Sequence, residues 1–334
     1  MSIIKDVTGN SNFTRNLFLI ISLAVLSFGF MPACSNDTSP PIRIGTNVWP
    51  GYEPLYLARN LNYYSPEEVR LVEFSSSSEV IRQFRNNSLD AAALTLDETL
   101  ILLQDGFDVS VILVMDISDG GDVILGKKEL KDFQDIKGHT VGVEGSALGA
   151  YFLSRAMEIN GIKPEEIKIV QRDVSEHEQA FMNGEIDVVA TFEPVRTKLL
   201  AHGAKVLFDS KQLPGEIVDV LIVRSSYLKE HPDRINSVLD GWFKAIEYMK
   251  KDPSDAAVRM ALRHQITAAV FLSSLDGLYI PDYAENLKML SGESATLKQV
   301  LPKLSSTMYR KKLLEREIDT SLLIDGKPMR QLKQ

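Results

Sequence analysis

The sequence predicts an α/β fold divided into two lobes, and three observations carry that expectation. Short runs rich in Val and Ile alternate with helical stretches from Ile42 to Arg224. These runs are apolar on both faces, as strands buried in parallel sheets are. At 334 residues the chain is too long for one small core.

The elements follow in order. Candidate strands are "IRIG", "VRLVEF", "AAALT", "VSVILVM", "DVILG", "HTVGVE", "IKIVQ", "DVVATF", "AKVLF" and "VDVLIV". Helix starts are marked by Ser76 with Glu79, Thr95 with Glu98 and Ser175 with Glu178, each a hydroxyl followed three residues later by glutamate. Gly106, Gly161, Gly184 and Gly203 follow the last helical residues, where a left-handed cap needs glycine. Leu148, Phe152, Ala156 and Ile159 form one apolar stripe. Alternation of strand and helix implies parallel sheets covered on both faces. The segment "DISDGGD" interrupts the pattern, and after about residue 225 helices dominate. The expected division is residues 42–121 with 225–334 as lobe I and 122–224 as lobe II, with crossovers near 120–126 and 221–225. The helical tail from Tyr227 is expected to pack on lobe I.

The first 33 residues read as an export signal. Lys5 and Arg15 precede an apolar run from Leu17 to Met31, which is short for a membrane span. Met31, Pro32 and Ala33 then lead to Cys34, the only cysteine. The arrangement resembles a bacterial lipoprotein signal, in which that cysteine carries the lipid and residues 34–41 form an exposed tether. The alternative is an ordinary export signal with an incidental cysteine. Either way a lone cysteine leaves no intramolecular disulfide. The implied location is the periplasm, anchored to a membrane, and Ser35 hints at the outer one. The net charge of -8 argues against a nucleic-acid partner, which would meet a basic face. A monomer is expected.

Six segments in order carry a family likeness: "VWPGYEPLYLARNL", "SLDAAALTLDETL", "DISDGGDVILGKK", "DIKGHTVGVEGSALGAYFLSRAM", "AFMNGEIDVVATFEP" and "LIVRSSYLKEHPDRINSVLDGW". Together they resemble the solute-binding proteins of ABC importers of the nitrate/taurine/alkanesulfonate and thiamine-pyrimidine-precursor group, over roughly residues 42–310. The resemblance implies a type II periplasmic binding protein: two α/β lobes, a two-strand hinge and a ligand cleft between them. It implies a partner permease in the inner membrane, onto which the closed form docks. Phe192 departs from the pattern, because many relatives carry Trp before "EP".

In open α/β sheets ligands sit beyond the carboxyl ends of the strands. There the chain places Trp49 and Tyr52, then Ser76 and Ser77, then Thr95 and Asp97, then Asp116, Ser118 and Asp119. The second group gives Gly145, Ser146 and Glu193, with Asp219 on the return strand. Each has a plainer role open to it. Trp49 and Tyr52 can be loop packing, Ser76 and Thr95 helix caps, and Glu193 with Pro194 a helix start. Asp122 and Glu144 read as hinge or surface charges.

The candidate rim is acidic and aromatic and almost without Arg or Lys. A bare anion wants cations or many N–H donors. The expected ligand therefore bears an amino group: an aminopyrimidine-like heterocycle first, a taurine-like or sulfonate zwitterion second. No metal or cofactor is expected, since His139, His177, His202, His231 and His264 do not pair at metal spacing. His177 reads as solvated. Two other roles stay open. One is a sensing subunit for a membrane kinase or cyclase, using the same closing motion. The other is an enzyme on the same fold, for which Lys127 and Lys128 are the only lysines near a strand end.

Overall fold

The computed structural model describes residues 39–332. The expected export signal, Cys34 and most of the tether lie outside the described residues.

The chain opens with β1 (Ile42–Thr46), a 3₁₀ turn (Pro50–Tyr52) and α1 (Glu53–Asn60). Then come β2 (Val69–Glu73), α2 (Ser77–Arg85), β3 (Ala91–Thr95), α3 (Leu96–Gln104) and β4 (Val109–Ser118). The second series is β5 (Val123–Gly126), β6 (Thr140–Val143), α4 (Ala147–Ile159), β7 (Lys168–Gln171), α5 (Val174–Met182), β8 (Val188–Thr191), α6 (Val195–Ala201) and β9 (Lys205–Asp209). The chain then returns through β10 (Val218–Arg224). The tail holds α7 (Ser225–Glu230), α8 (Pro232–Lys251), α9 (Pro253–His264), α10 (Ala268–Leu275), β11 (Leu278–Tyr279), α11 (Tyr283–Leu290), α12 (Thr296–Arg310) and α13 (Lys327–Gln331).

All ten expected strands form, and they sort into two sheets. One has the order β11-β4-β10-β3-β1-β2, the other β7-β6-β8-β5-β9. The sheets are mixed where all-parallel ones were expected. β10 runs antiparallel to both β3 and β4, and β5 antiparallel to β8 and β9. A strand that enters a sheet from the other lobe has no helical crossover to turn it around, so it joins in the opposite direction. β10 belongs to the first sheet, so the return crossover falls between β9 and β10, earlier than residues 221–225. Its apolar run fits either sheet equally well.

The helix ends follow local chemistry. Ser76 Oγ accepts from the Glu79 N–H at 3.3 Å, and Glu98 Oε2 accepts from the Thr95 N–H at 3.2 Å. The third box shifts: Asp173, not Ser175, caps α5, with Glu176 reaching back to its N–H at 3.3 Å. All four expected C-terminal glycines have positive φ. The stripe on α4 buries Phe152 and Ala156 but leaves Ile159 exposed.

The tail packs on the first sheet. α8 buries Val238, Leu239 and Trp242 against α1 and β2. Asn286 on α11 satisfies the backbone of Val114, accepting from its N–H at 2.8 Å and donating to its carbonyl at 3.1 Å. This covers part of the β4 edge that would otherwise be unpaired. At the hinge Gly121 and Gly277 touch. The Gly121 N–H donates to Gly277 O at 3.0 Å, and a Cβ on Gly277 would lie 2.8 Å from Gly121 N. Only glycines permit that approach.

Candidate functional site

A cavity of about 20 Å³ lies between the lobes. The first lobe lines it with Asn47, Trp49, Tyr52, Ser77, Thr95, Glu98 and Asp219. Asp122 enters from the hinge, and Leu148 and Phe192 from the second lobe. Trp49 and Phe192 meet edge to face across it, with centroids 5.4 Å apart and planes at 89°.

The first-lobe wall is built by strand register and one tight turn. Asp219 on β10 lies opposite Asp116 on β4 and Thr95 on β3. The 3₁₀ turn after β1, started by Pro50, passes over this row. Trp49 Nε1 donates to Asp116 Oδ2 at 3.0 Å, and the Tyr52 hydroxyl donates to Asp219 Oδ1. Gly51 makes the passage possible, since a Cβ there would sit 1.8 Å from Asp116 Oδ2.

A second acidic group joins the lobes. Ser77 Oγ lies 2.6 Å from Glu98 Oε1 and 3.2 Å from Glu144 Oε1. Glu144, at the end of β6 in the second lobe, also accepts from Ser78 N–H and Oγ, each at 3.2 Å. It thereby sits on the N-terminus of α2 in the first lobe, where free N–H groups favour a carboxylate.

Asp97, Glu98, Asp116, Asp122, Glu144 and Asp219 are all buried, none more than 5% exposed. Burial is the first cause of their altered acidity, because it penalises the charged form. It pushes Asp116 up to about 8, Asp97, Glu98 and Glu144 to about 7, and Asp122 to about 6. Asp219 is raised well above the usual range by burial and then by Asp116. Among the described residues no Arg, Lys or His lines the cavity. Asp97 Oδ2, Asp116 Oδ1 and Asp122 Oδ2 are buried without a hydrogen-bond partner. Such orphaned acceptors are rare and costly.

The sequence-predicted residues therefore separate. Trp49, Tyr52, Ser77, Thr95 and Asp219 line the cavity, with Asp97 and Asp116 buried in the same carboxyl cluster. The others lie elsewhere. Ser76 caps α2, and Ser146 caps α4, accepting from the Gly149 N–H at 3.2 Å. Ser118 is bound in the hinge to Ser210 Oγ at 2.8 Å and the Asp122 N–H at 3.1 Å. Asp119 and Gly145 are exposed. Glu193 is buried but turned onto α6, accepting from Arg196 at 2.9 Å, the Thr197 N–H at 3.1 Å and the Thr197 hydroxyl at 2.9 Å.

The residues not anticipated are Glu98, Asp122, Glu144, Asn47, Leu148 and Phe192. Glu98 was absorbed by its capping role. Asp122 and Glu144 are buried, not surface charges, and Glu144 follows a strand end as Glu193 does, which was a usable signal. His177 is likewise buried, contrary to its solvated reading. Its ring nitrogens lie 3.1 Å from Thr191 Oγ1 and 3.2 Å from Arg172 O, and burial lowers it to about 4. Lys127 pairs with Asp187 at 2.7 Å. Among the described residues no group of three or more His, Cys, Asp or Glu side chains is placed to hold a metal ion.

Comparison with known proteins agrees with the architecture. A putative aliphatic sulfonates-binding protein of Bacillus subtilis is 22% identical over 295 residues, covering 85% of this chain and 86% of the relative. The taurine-binding periplasmic protein of Escherichia coli is 24% identical over 191 residues, covering 55% and 59%. The ligand-binding component of an ABC-type import system from Staphylococcus aureus, solved with zinc bound, superposes with a TM-score of 0.74 at 15% identity, covering 88% of this chain and 99% of that one. These likenesses give the type II periplasmic binding protein fold, two α/β lobes joined by a two-strand hinge. The model of the NMT1/THI5-like family matches residues 49–256, and the chain belongs to that family.

Proposed function

We propose that this chain is an extracytoplasmic lipoprotein that captures a small amino-bearing solute between its lobes and delivers it to an ABC importer. One observation carries the ligand class. Asp122 on the cleft wall, and Asp97 and Asp116 buried in the same carboxyl cluster, each keep an oxygen without a partner, and no cation is among the described residues that line the cleft. An ammonium or amidine supplies N–H donors and compensating charge together. Trp49, Tyr52 and Phe192 add aromatic surface suited to a flat heterocycle or a cation. An aminopyrimidine-like ring is the first choice. A taurine-like zwitterion is the second, favoured by the names of the two relatives, although its sulfonate would meet no Arg or Lys among the described lining residues.

Delivery follows from the lobes. A ligand that touches both binds the closed form better than the open one and shifts the population toward closure. The closed form then presents both lobes to a permease in the inner membrane. Lipid on Cys34 would keep the protein at a membrane.

The test is a thermal-shift panel of aminopyrimidines, thiamine, taurine, alkanesulfonates and nitrate. A ligand at 100 times its dissociation constant adds about 2.7 kcal/mol, which is about 2 °C or more for a chain of this size. Stabilisation by amino compounds is the expected result. Stabilisation by simple anions alone refutes the amino-bearing ligand.

A further inference from the structure

The carboxyls on the cavity wall differ in what they already hold. Asp219 accepts from the Tyr52 hydroxyl, and Glu98 accepts from Ser77 and from the Thr95 N–H. Asp122, 3% exposed, lines the same cavity and keeps Oδ2 without a partner. Two neutral wall residues share that state. Thr95 Oγ1 is buried without a partner. Asn47 is 6% exposed, and its side-chain amide meets no hydrogen-bond partner among the described residues. The cavity therefore presents one open carboxylate, one open hydroxyl and one open amide.

These groups restrict what fits. One open carboxylate asks for one positive charge. Carboxylate, hydroxyl and amide oxygens all accept, so three N–H donors on one atom satisfy them together, and a primary ammonium carries three. A quaternary ammonium or a potassium ion brings the charge without the donors. Size restricts further. The cavity is about 20 Å³, little more than the roughly 10–15 Å³ that one water needs. A single occupant of so small a space is held against all its walls at once. The second lobe contributes only Leu148 and Phe192 to the wall, both apolar. A carbon on that side is accommodated, whereas a second polar group finds no partner there.

We infer that the cavity is a site for one small primary ammonium, the ammonium ion or methylammonium, held by Asp122, Thr95 and Asn47. The nitrogen lies toward these three residues, and the methyl group faces Leu148 and Phe192. This rests on the amino-bearing reading of the cleft and narrows it to the smallest amines. A larger ring, such as an aminopyrimidine, enters only with the lobes farther apart. Methylammonium touches both lobes, so it favours the closed form.

The test is calorimetric titration of the full chain in detergent micelles with ammonium, methylammonium, butylammonium, tetramethylammonium and potassium chlorides, an aminopyrimidine and taurine. Methylammonium is expected to bind at least about tenfold tighter than tetramethylammonium or potassium, the gain from charge-assisted hydrogen bonds that those ions cannot donate. Asp122→Asn is expected to weaken methylammonium at least about tenfold, and Asn47→Ala about threefold or more. The ligand-free melting transition of each variant shows that it folds. Butylammonium, tetramethylammonium or the aminopyrimidine binding as tightly as methylammonium overturns the small-ammonium site and leaves the amino-bearing reading standing. So does an affinity unmoved in both variants. Binding of potassium alone, of taurine alone, or of none of the panel overturns both.

Discussion

Asp219 faces Asp116 across the β4–β10 ladder, and each carboxyl is met by an aromatic donor from the same three-residue turn, Tyr52 and Trp49. Like charges directly opposite on adjacent strands repel. Burial adds to that repulsion, so without ligand the pair is held near neutrality by proton uptake.

The first prediction concerns stability against pH. Burial raises Asp116 to about 8 and Asp97, Glu98 and Glu144 to about 7, against unfolded values near 4. The folded chain thus binds more protons than the unfolded one between about pH 4 and 8. Their stabilising contribution is complete below that window and is lost as pH rises through it. Without ligand, the melting temperature should fall from pH 5 to pH 8. Asp116→Asn should flatten the fall, and an unchanged slope would remove Asp116 from the account.

The second prediction concerns Gly51. A Cβ there would stand 1.8 Å from Asp116 Oδ2 and 2.7 Å from Trp49 Nε1. Gly51→Ala must push the turn off the carboxyl and break the Trp49–Asp116 hydrogen bond. Leaving a buried acceptor without that bond costs about 1–3 kcal/mol. The expected outcome is a lower melting temperature with a shifted Trp49 emission and lost ligand response. Trp242, buried on α8 where that helix packs on α1 and β2, serves as the unshifted reference in a Trp49→Phe control.

The third prediction concerns closure. Lys311, just after α12 of the first lobe, bridges to Glu158 at 2.6 Å and Ser154 O at 3.3 Å on α4 of the second. Glu158 is half exposed, so the pair contributes no more than about 1 kcal/mol. That contribution exists only while the lobes touch, so it enters ligand affinity through the closed population. Lys311→Ala should weaken ligand affinity up to about fivefold, with the larger change in the dissociation rate, and barely move the melting temperature of the ligand-free chain. An unchanged dissociation rate would show that the bridge does not gate closure.

Much of the architecture was legible from local chemistry. All ten apolar runs became strands because Val and Ile runs between turn signals have few other stable uses. Ser76 and Glu98 capped the helices expected of them, because a cap is decided within four residues. In the site, Trp49, Tyr52, Ser77, Thr95 and Asp219 reached the cavity because strand ends and the turns after them form one edge of a sheet.

Tertiary structure decided what depends on partners distant in sequence. β10 reads the same for either sheet, and only its pairing with β3 and β4 brings Asp219 beside Asp116. Glu193 was available to a ligand until Arg196 and Thr197 claimed both its oxygens. Glu144 looked like a surface charge because its donors, Ser77 and Ser78, lie on the other lobe. Sequence shows which side chains carry charge. Which of them keep an unsatisfied lone pair follows only from burial and from which donors the fold brings near.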